Sequence, residues 1–324
     1  MNGLLVLDRV RVQGANAVAG LTWGFPAVGA FLGFCHALER RLRPDHSGGP
    51  ALFGGCAIVC HDHQPLTASH YGVHQFNQTR APLTRKGAVA PFNEEGRMHM
   101  TVSLLIGLDD GVDDYLETIP DDVPDELTPS AWFRGRVEDA MRSLRLAGGT
   151  ILDVRGVGYK PQIDGGEEDK EGRTVLFGCL PGFALVDRSD LLESHLGALR
   201  ANHPEISRIR AWMDFGNLRF RSAQGDDGVA WERVPLPERG WFVPLTTGYR
   251  AISSPYEAGS VAGARDPSVP FVLVESVYGV GQWIGPHRVR SIESLMWRHE
   301  YREDGRYVFA NRFEPELSRQ EEPA

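Results

Sequence analysis

An α+β fold is expected for this 324-residue chain on three observations. Over residues 1–155, β-rich runs and two amphipathic helical segments alternate in the order βαββαβ. A basic excursion punctuated by Pro and Gly, at about residues 64–97, interrupts that order between its second and third strands. Residues 156–324 then mix strand and helix signals with no internal repeat, as an irregular α+β second half.

The first strand rests on alternation over residues 4–12. A Gly/Ala/Asn loop and Thr22-Trp23-Gly24-Phe25-Pro26 follow, and Pro26 suits the first turn of a helix. In that helix Val28, Phe31, Leu32, Cys35, Leu38 and Leu42 recur at helical spacing up to the stop Arg40-Arg41-Leu42-Arg43-Pro44. β-formers over residues 51–63 and 98–108 make the second and third strands. Thr128-Pro129 opens the second helix, which carries Trp132, Val137, Met141 and Leu144, and Gly148-Gly149 stops it before a strand over residues 150–154. This order is that of the ferredoxin-like or RRM-like split motif, an antiparallel sheet with both helices on one face and the other face open. In the second half we expect a polar turn over 164–171, a strand region over 174–186 broken at Pro181-Gly182, and a helix over 189–201 with Leu191, Leu192, Leu196 and Leu199 on one side. A second helix over 204–215, a polar turn near 224–228, strands over 234–243 and 271–280, and a last element over 291–299 before a fraying charged tail complete it.

An apolar share of 42% supports a real core and excludes a disordered chain. There is no uncharged apolar run of about 18 residues, and the N-terminus begins as a strand rather than a leader, so a cytoplasmic protein with no membrane contact is expected. Cys35, Cys56, Cys60 and Cys179 lack framework spacing and read as buried, reduced thiols. The net charge of −9 argues against nucleic acid only until it is located. Residues 109–126 carry nine acidic side chains and no Lys or Arg, so the remainder of the chain is neutral. Lacking the calcium-loop pattern, that stretch reads first as a solvated loop and second as a contact for a partner's basic surface. Residues 1–108 hold nine Lys+Arg against six Asp+Glu, and seven of the eleven histidines, which makes any basic surface N-terminal.

Compact domains rarely keep a connection as long as the one from Phe76 to Arg97 unless it has a task. Its tip offers Arg80, Arg85 and Lys86, two planar forks and one point charge suited to phosphate oxygens. Arg97 and His99 alternate with Met98 and Met100; with the methionines packed on the helices, Arg97 and His99 lie on the open face. His36, on or beside the apolar stripe of the first helix, reads first as a packed histidine and second as an RNA contact. Cys56, Cys60, His61, His63, His70 and His74 crowd one region. Strand alternation sets Cys56 and Cys60 on one face and His61 and His63 on the other, so no metal site is expected. Gly156-Val157-Gly158 and Gly279-Val280-Gly281 fall short of a nucleotide fingerprint, and no cofactor is expected.

The chain resembles the Csy-two family of type I-F CRISPR surveillance complexes, a Cas-five-like branch of the RAMP superfamily. The resemblance is carried by Ala15-Asn16-Ala17, Thr22-Trp23-Gly24-Phe25-Pro26, Gly33-Phe34-Cys35-His36-Ala37-Leu38, Thr79-Arg80-Ala81-Pro82-Leu83 and Phe92-Asn93-Glu94-Glu95-Gly96-Arg97-Met98-His99. Further on come Pro181-Gly182-Phe183-Ala184-Leu185-Val186, Gly248-Tyr249-Arg250-Ala251-Ile252, Glu275-Ser276-Val277-Tyr278 and Trp283-Ile284-Gly285-Pro286-His287-Arg288. The resemblance implies a non-catalytic antiviral subunit that holds the 5′ handle of the CRISPR RNA, pairs with the large subunit, abuts a backbone subunit and meets target DNA through the assembled complex. On this reading Arg80, Arg85 and Lys86 clamp phosphates, Asn16 and the Trp23 loop contact handle bases or sugars, and Arg250 and Arg288 extend the groove. Arg11, His36, Arg97, His99 and His287 complete the expected RNA-binding set. The aromatic base-stacking strings of an RRM are not found, so RNA binding does not follow from fold alone. Two rivals remain: a metal-independent endoribonuclease using His61, His63 or His99, and an adaptor that grips only proteins. Residues 271–284, with Glu275 as their single charge, are expected to be core or partner contact.

Overall fold

The computed structural model describes residues 3–43, 51–76, 83–84, 86–89, 96–109, 111–117, 128–163, 166, 169–225, 228–264 and 266–314. β1 (Gly3–Asn16) outruns the alternation of its first residues, because Gly14 adopts a left-handed backbone (φ 67°) that lets the strand bulge between Val12 and Ala15 and continue. The ribbon of β2 (Val18–Ala19) and β3 (Thr22–Trp23) leads into α1 (Val28–Leu42). Ala27 is the N-cap, so Pro26 precedes the helix instead of occupying its first turn. α1 buries Val28, Phe31, Phe34, Cys35, Leu38 and Leu42, largely the stripe expected. Each such large side chain, fully buried, contributes about 1.5–3 kcal/mol.

β4 (Phe53–Pro65) is followed by a ribbon of β5 (Thr67–His70) and β6 (Val73–Phe76), then by β7 (Arg97–Leu108). β4 and β7 pair from Phe53–Leu108 through to Pro65–Met98, so the arm is inserted between two neighbouring strands. α2 (Gly111–Leu116) occupies the start of the acidic stretch that was expected to be a solvated loop. Its Val112 and Tyr115 are buried, and the Tyr115 ring lies 5.5 Å from Trp132 and 5.9 Å from Phe133. α3 (Pro129–Met141) starts where Thr128 Oγ1 accepts from the Ala131 amide (3.3 Å). It ends at Met141; Ala147 and Gly148, both at positive φ, instead turn the hairpin of β8 (Arg145–Leu146) and β9 (Gly149–Asp153). β10 (Gly156–Lys160) returns along β1.

α4 (Lys170–Gly178) stands where part of a strand was expected. The Asp169 carboxylate caps it by accepting from the Gly172 amide (3.0 Å), and burial of Leu176 overrides the β-preference of Thr174-Val175. β11 (Phe183–Asp187) and α5 (Ser189–Asn202) agree with expectation, whereas α6 (Arg208–Met213) is short, because Ser207 Oγ caps the Arg210 amide and sets a late start. β12 (Phe220–Gly225) and β13 (Gly228–Arg233) form an exposed ribbon about the polar turn. β14 (Trp241–Ala251) and β15 (Val274–Ile284) lie further along the chain than their apolar runs suggest. Beyond a 3-10 turn at Pro286–Arg288 and the four-residue α7 (Ile292–Leu295), the tail expected to fray begins instead as a pair of strands, β16 (Arg298–Tyr301) and β17 (Arg306–Ala310), and its residues 315–324 lie outside the described residues. β17 forms because its partner, β14, lies far upstream, with Gly248 opposite Val308, a pairing that local signals do not carry.

The main antiparallel sheet runs β16-β17-β14-β15-β11-β4-β7-β1-β9-β8, with β10 also on β1. Strands from the second half join those of the first where Phe183 and Ala184 face Cys60 and Val59. One face packs against α1 and α3: Leu7, Val10, Val12, Ile58, Met98 and Met100 share a core with Phe31 and Phe133. On the opposite face Leu4, Ala57, Val59, Leu105 and Ala184 are covered by Leu176 of α4 and by Ile292 and Leu295 of α7. The expected open face is therefore covered along this stretch; among the described residues that cluster does not include Arg97 or His99, at the end where the arm departs. A third cluster unites α5 and α6 with Phe242 and Val280. All four cysteines are buried, and burial pushes the Cys60 and Cys179 thiols up to about 12, so neither ionises near neutral pH.

Candidate nucleic-acid interface

Residues from four distant stretches meet at the root of the arm. The Gly14 bulge presents its amide to His99 Nδ1 (3.2 Å) and its carbonyl to Arg97 Nη1 (3.3 Å), so one backbone kink orients both side chains. Asn16 is the cross-strand neighbour of Arg97, and its amide group closes a turn on Val18 (2.9 and 3.1 Å). The Ala17 amide bonds Gly96 O, the Leu66 amide bonds Arg97 O, and the Asn16 amide bonds Ala147 O, which ties both ends of the arm to the β8–β9 turn. Trp23 remains 65% exposed, held edge-on by Phe76 at 5.6 Å. Met98 and Met100 point into the helix-covered core, which leaves Arg97 and His99 on the opposite face as expected.

Arg11 lies on the same uncovered end, paired with Asp153 at 2.5 Å. Of the arm tip, Lys86 is exposed in a turn closed by the Gly87 amide on Thr84 O, while Arg80 and Arg85 lie outside the described residues. His36 is exposed, so the packed reading of this histidine does not hold; it lies off the stripe that α1 buries. Arg250 is exposed on β14, opposite Glu275 and Arg306, and His287 and Arg288 are exposed in the 3-10 turn after β15. These three are separated from Arg97 by several strands of the sheet and do not join the arm-root cluster.

Cys56 and Cys60 share the helix-covered face as expected, but a bulge between Cys60 and Asp62 breaks the alternation beyond them. His63 consequently pairs with the helix-side Met100, and His61 with His63 do not share a face. Among the described residues no three His, Cys, Asp or Glu side chains converge on a metal position. His61 is held at both ring nitrogens. Pro181 O can only accept, so Nδ1 donates to it (2.7 Å), and Nε2 faces the Ser103 hydroxyl (2.7 Å). Ser103, fully buried, also accepts from the Arg9 amide (2.9 Å) and lies 3.2 Å from Asp8 Oδ1. Asp8 is engaged by Arg155 Nε at 2.6 Å. The carboxylate thus sits on the serine and the arginine rather than behind the imidazole, which is not the order of a nucleophile–base–acid relay.

Burial lowers the His61 pKa, with the Arg9 and Arg155 charges adding to the effect against the Pro181 bond and Asp8. The folded chain therefore prefers the neutral ring. Its stabilisation is complete above the unfolded value of about 6.5 and is lost as pH falls from there through the folded pKa. His61→Gln, which keeps a donor and an acceptor without titrating, should flatten the fall in melting temperature between pH 7 and 5. Identical pH profiles for the variant and the parent would refute this.

Two residues of the cluster escaped the sequence reading. Gly14 carried a usable signal, since a glycine inside a strand marks a bulge; Phe76 carried none, because its contact with Trp23 joins chain positions far apart.

The fold and this site define an α+β protein whose sheet ends in an inserted arm, with guanidinium, imidazole, amide and indole groups gathered at the arm's root. Residues 5–309 match the family model described as CRISPR-associated protein (Cas_Csy2). The chain is 36% identical over 327 aligned positions, covering 93% of its own length and 92% of the relative's, to CRISPR-associated protein Csy2 of Pseudomonas aeruginosa (strain UCBPP-PA14). It belongs to this family of CRISPR-associated proteins. No helix among the described residues is long and apolar enough to cross a membrane.

Proposed function

We propose that this chain is a non-catalytic RNA-binding subunit of a type I-F CRISPR surveillance complex, working in the cytoplasm. On this reading it holds the 5′ handle of the CRISPR RNA, pairs with the large subunit, abuts a backbone subunit and meets target DNA through the assembly. The observation that carries the reading is the convergence of Asn16, Trp23, Arg97 and His99 on the uncovered end of the sheet, at the root of the arm that bears Arg80, Arg85 and Lys86. Exposed indole and partly exposed guanidinium groups supply stacking and phosphate bonding, as single-stranded RNA requires. The order β4-β7-β1-β9, with crossovers through α1 and α3, supports an RRM- or ferredoxin-like core within the larger sheet. The locked ring of His61 favours binding over bond breaking.

Photocrosslinking of the full chain, purified with its co-expressed partners and bound RNA, should place crosslinks at Trp23 and His99. Arg97→Ala should weaken RNA binding about 10-fold, the scale of a charge-assisted bond, with the melting temperature nearly unchanged. RNA-free purified complexes would refute the reading. Cleavage of repeat RNA that disappears in a His61→Ala/His63→Ala/His99→Ala variant would favour the ribonuclease instead.

A further inference from the structure

A cavity of about 680 Å³ opens beside the arm root, and Trp23 belongs to both: it meets Phe76 on the arm side and lines the cavity on the other. The far wall is a continuous chain of rings. Phe183 lies 5.3 Å from Trp241, Trp241 6.3 Å from Trp283, Trp283 5.0 Å from Phe25, and Phe25 5.6 Å from the fully buried Phe31. Sheet register builds this wall, since Trp241 and Trp283 are cross-strand partners on β14 and β15. It is anchored in the core, yet Trp241 remains 50% exposed and offers ring surface to an occupant.

Among the described residues the lining has no Lys or Arg and a single carboxylate, Asp62. A phosphate entering here would lose its water with no cation to receive it. Asp62, His63 and Asn217 are exposed at the cavity's edge and offer hydrogen-bonding groups that an aliphatic occupant would not use. A flat, uncharged heterocycle with hydrogen-bonding edges meets both conditions, and the volume falls in the range of small-ligand sites.

We infer that this cavity receives one unstacked nucleobase of the bound RNA, stacked against Trp241 and read at its edge by Asn217 and His63. The inference rests on the RNA-binding reading above and adds to it a separation of tasks: arginines of the arm and its root take phosphates, and the cavity takes a base.

The test uses the full chain with its co-expressed partners and the RNA that co-purifies with them, resynthesised as a series in which each nucleotide in turn is abasic. One position should weaken binding about 10-fold, the scale of one base–aromatic stack. Trp241→Ala should weaken the intact RNA by a similar factor and abolish sensitivity at that position, leaving the salt dependence of binding unchanged. Asn217→Ala, on an exposed side chain after α6, supplies the same comparison if Trp241→Ala does not fold. RNA that binds with a flat abasic scan overturns the inference while leaving the RNA-binding reading intact; absence of RNA binding removes both. Loss of a partner subunit from Trp241→Ala with the scan unchanged would also overturn it, assigning the cavity to a protein side chain.

Discussion

Replacing Arg80, Arg85 and Lys86 together with alanine should lower RNA affinity by about 10- to 100-fold near physiological salt. It should also reduce the slope of log affinity against log salt by about 2. Each phosphate neutralised on a single strand releases counterions worth roughly 0.7 of slope, and three cations at one tip can account for three phosphates. The Thr84–Ala88 turn, where Lys86 is exposed, shows that this charge is not spent on packing at that position. Filter binding across a salt series measures both quantities. A lower affinity with an unchanged slope would mean that the arm acts through shape rather than charge. A slope that does not move, at unchanged affinity, would exclude the tip from the interface.

The second large effect is on stability. Trp297 is fully buried between the two halves of the chain: its backbone bridges Cys56 of β4, and its indole N–H donates to Leu185 O at 2.9 Å. Trp297→Ala removes the largest fully buried side chain, leaves a cavity and deprives a buried carbonyl of its donor. A loss of about 3–5 kcal/mol is expected, the usual range for emptying such a site. Trp297→Phe should cost less, since it keeps most of the volume and loses only the donor. Urea denaturation followed by two probes checks this. A loss under about 1 kcal/mol for Trp297→Ala would show that the contact between the halves is dispensable.

The first half of the fold was legible because its signals are local. The stripe of α1, the Thr128-Pro129 start of α3 and the alternation of Met98 and Met100 with Arg97 and His99 follow from side-chain periods, which a backbone of fixed geometry must obey. The second half was less so. Thr174 and Val175 look like strand residues, but a capping aspartate and the burial of Leu176 make them helical. β16 and β17 were missed because a short strand at a sheet edge is defined by its partner. The resemblance named the family, while the expected site residues were scattered: Asn16, Trp23, Arg97 and His99 converge, and Arg250, His287 and Arg288 do not join them.

By itself, then, the sequence determined the fold class, the two helices that flank the first core, the insertion of a basic arm between adjacent strands and the family. These depend on periodicity, breakers and motifs, which are properties of neighbouring residues. The tertiary structure alone decided that α4 and α7 cover part of the outer sheet face, that the bulge at Cys60–Asp62 separates His61 from His63, and that Trp23, Trp241 and Trp283 surround one cavity. Each of these depends on register between strands far apart in the chain. A one-residue shift in pairing reverses which way a side chain points, and composition or spacing along a single strand carries no record of it.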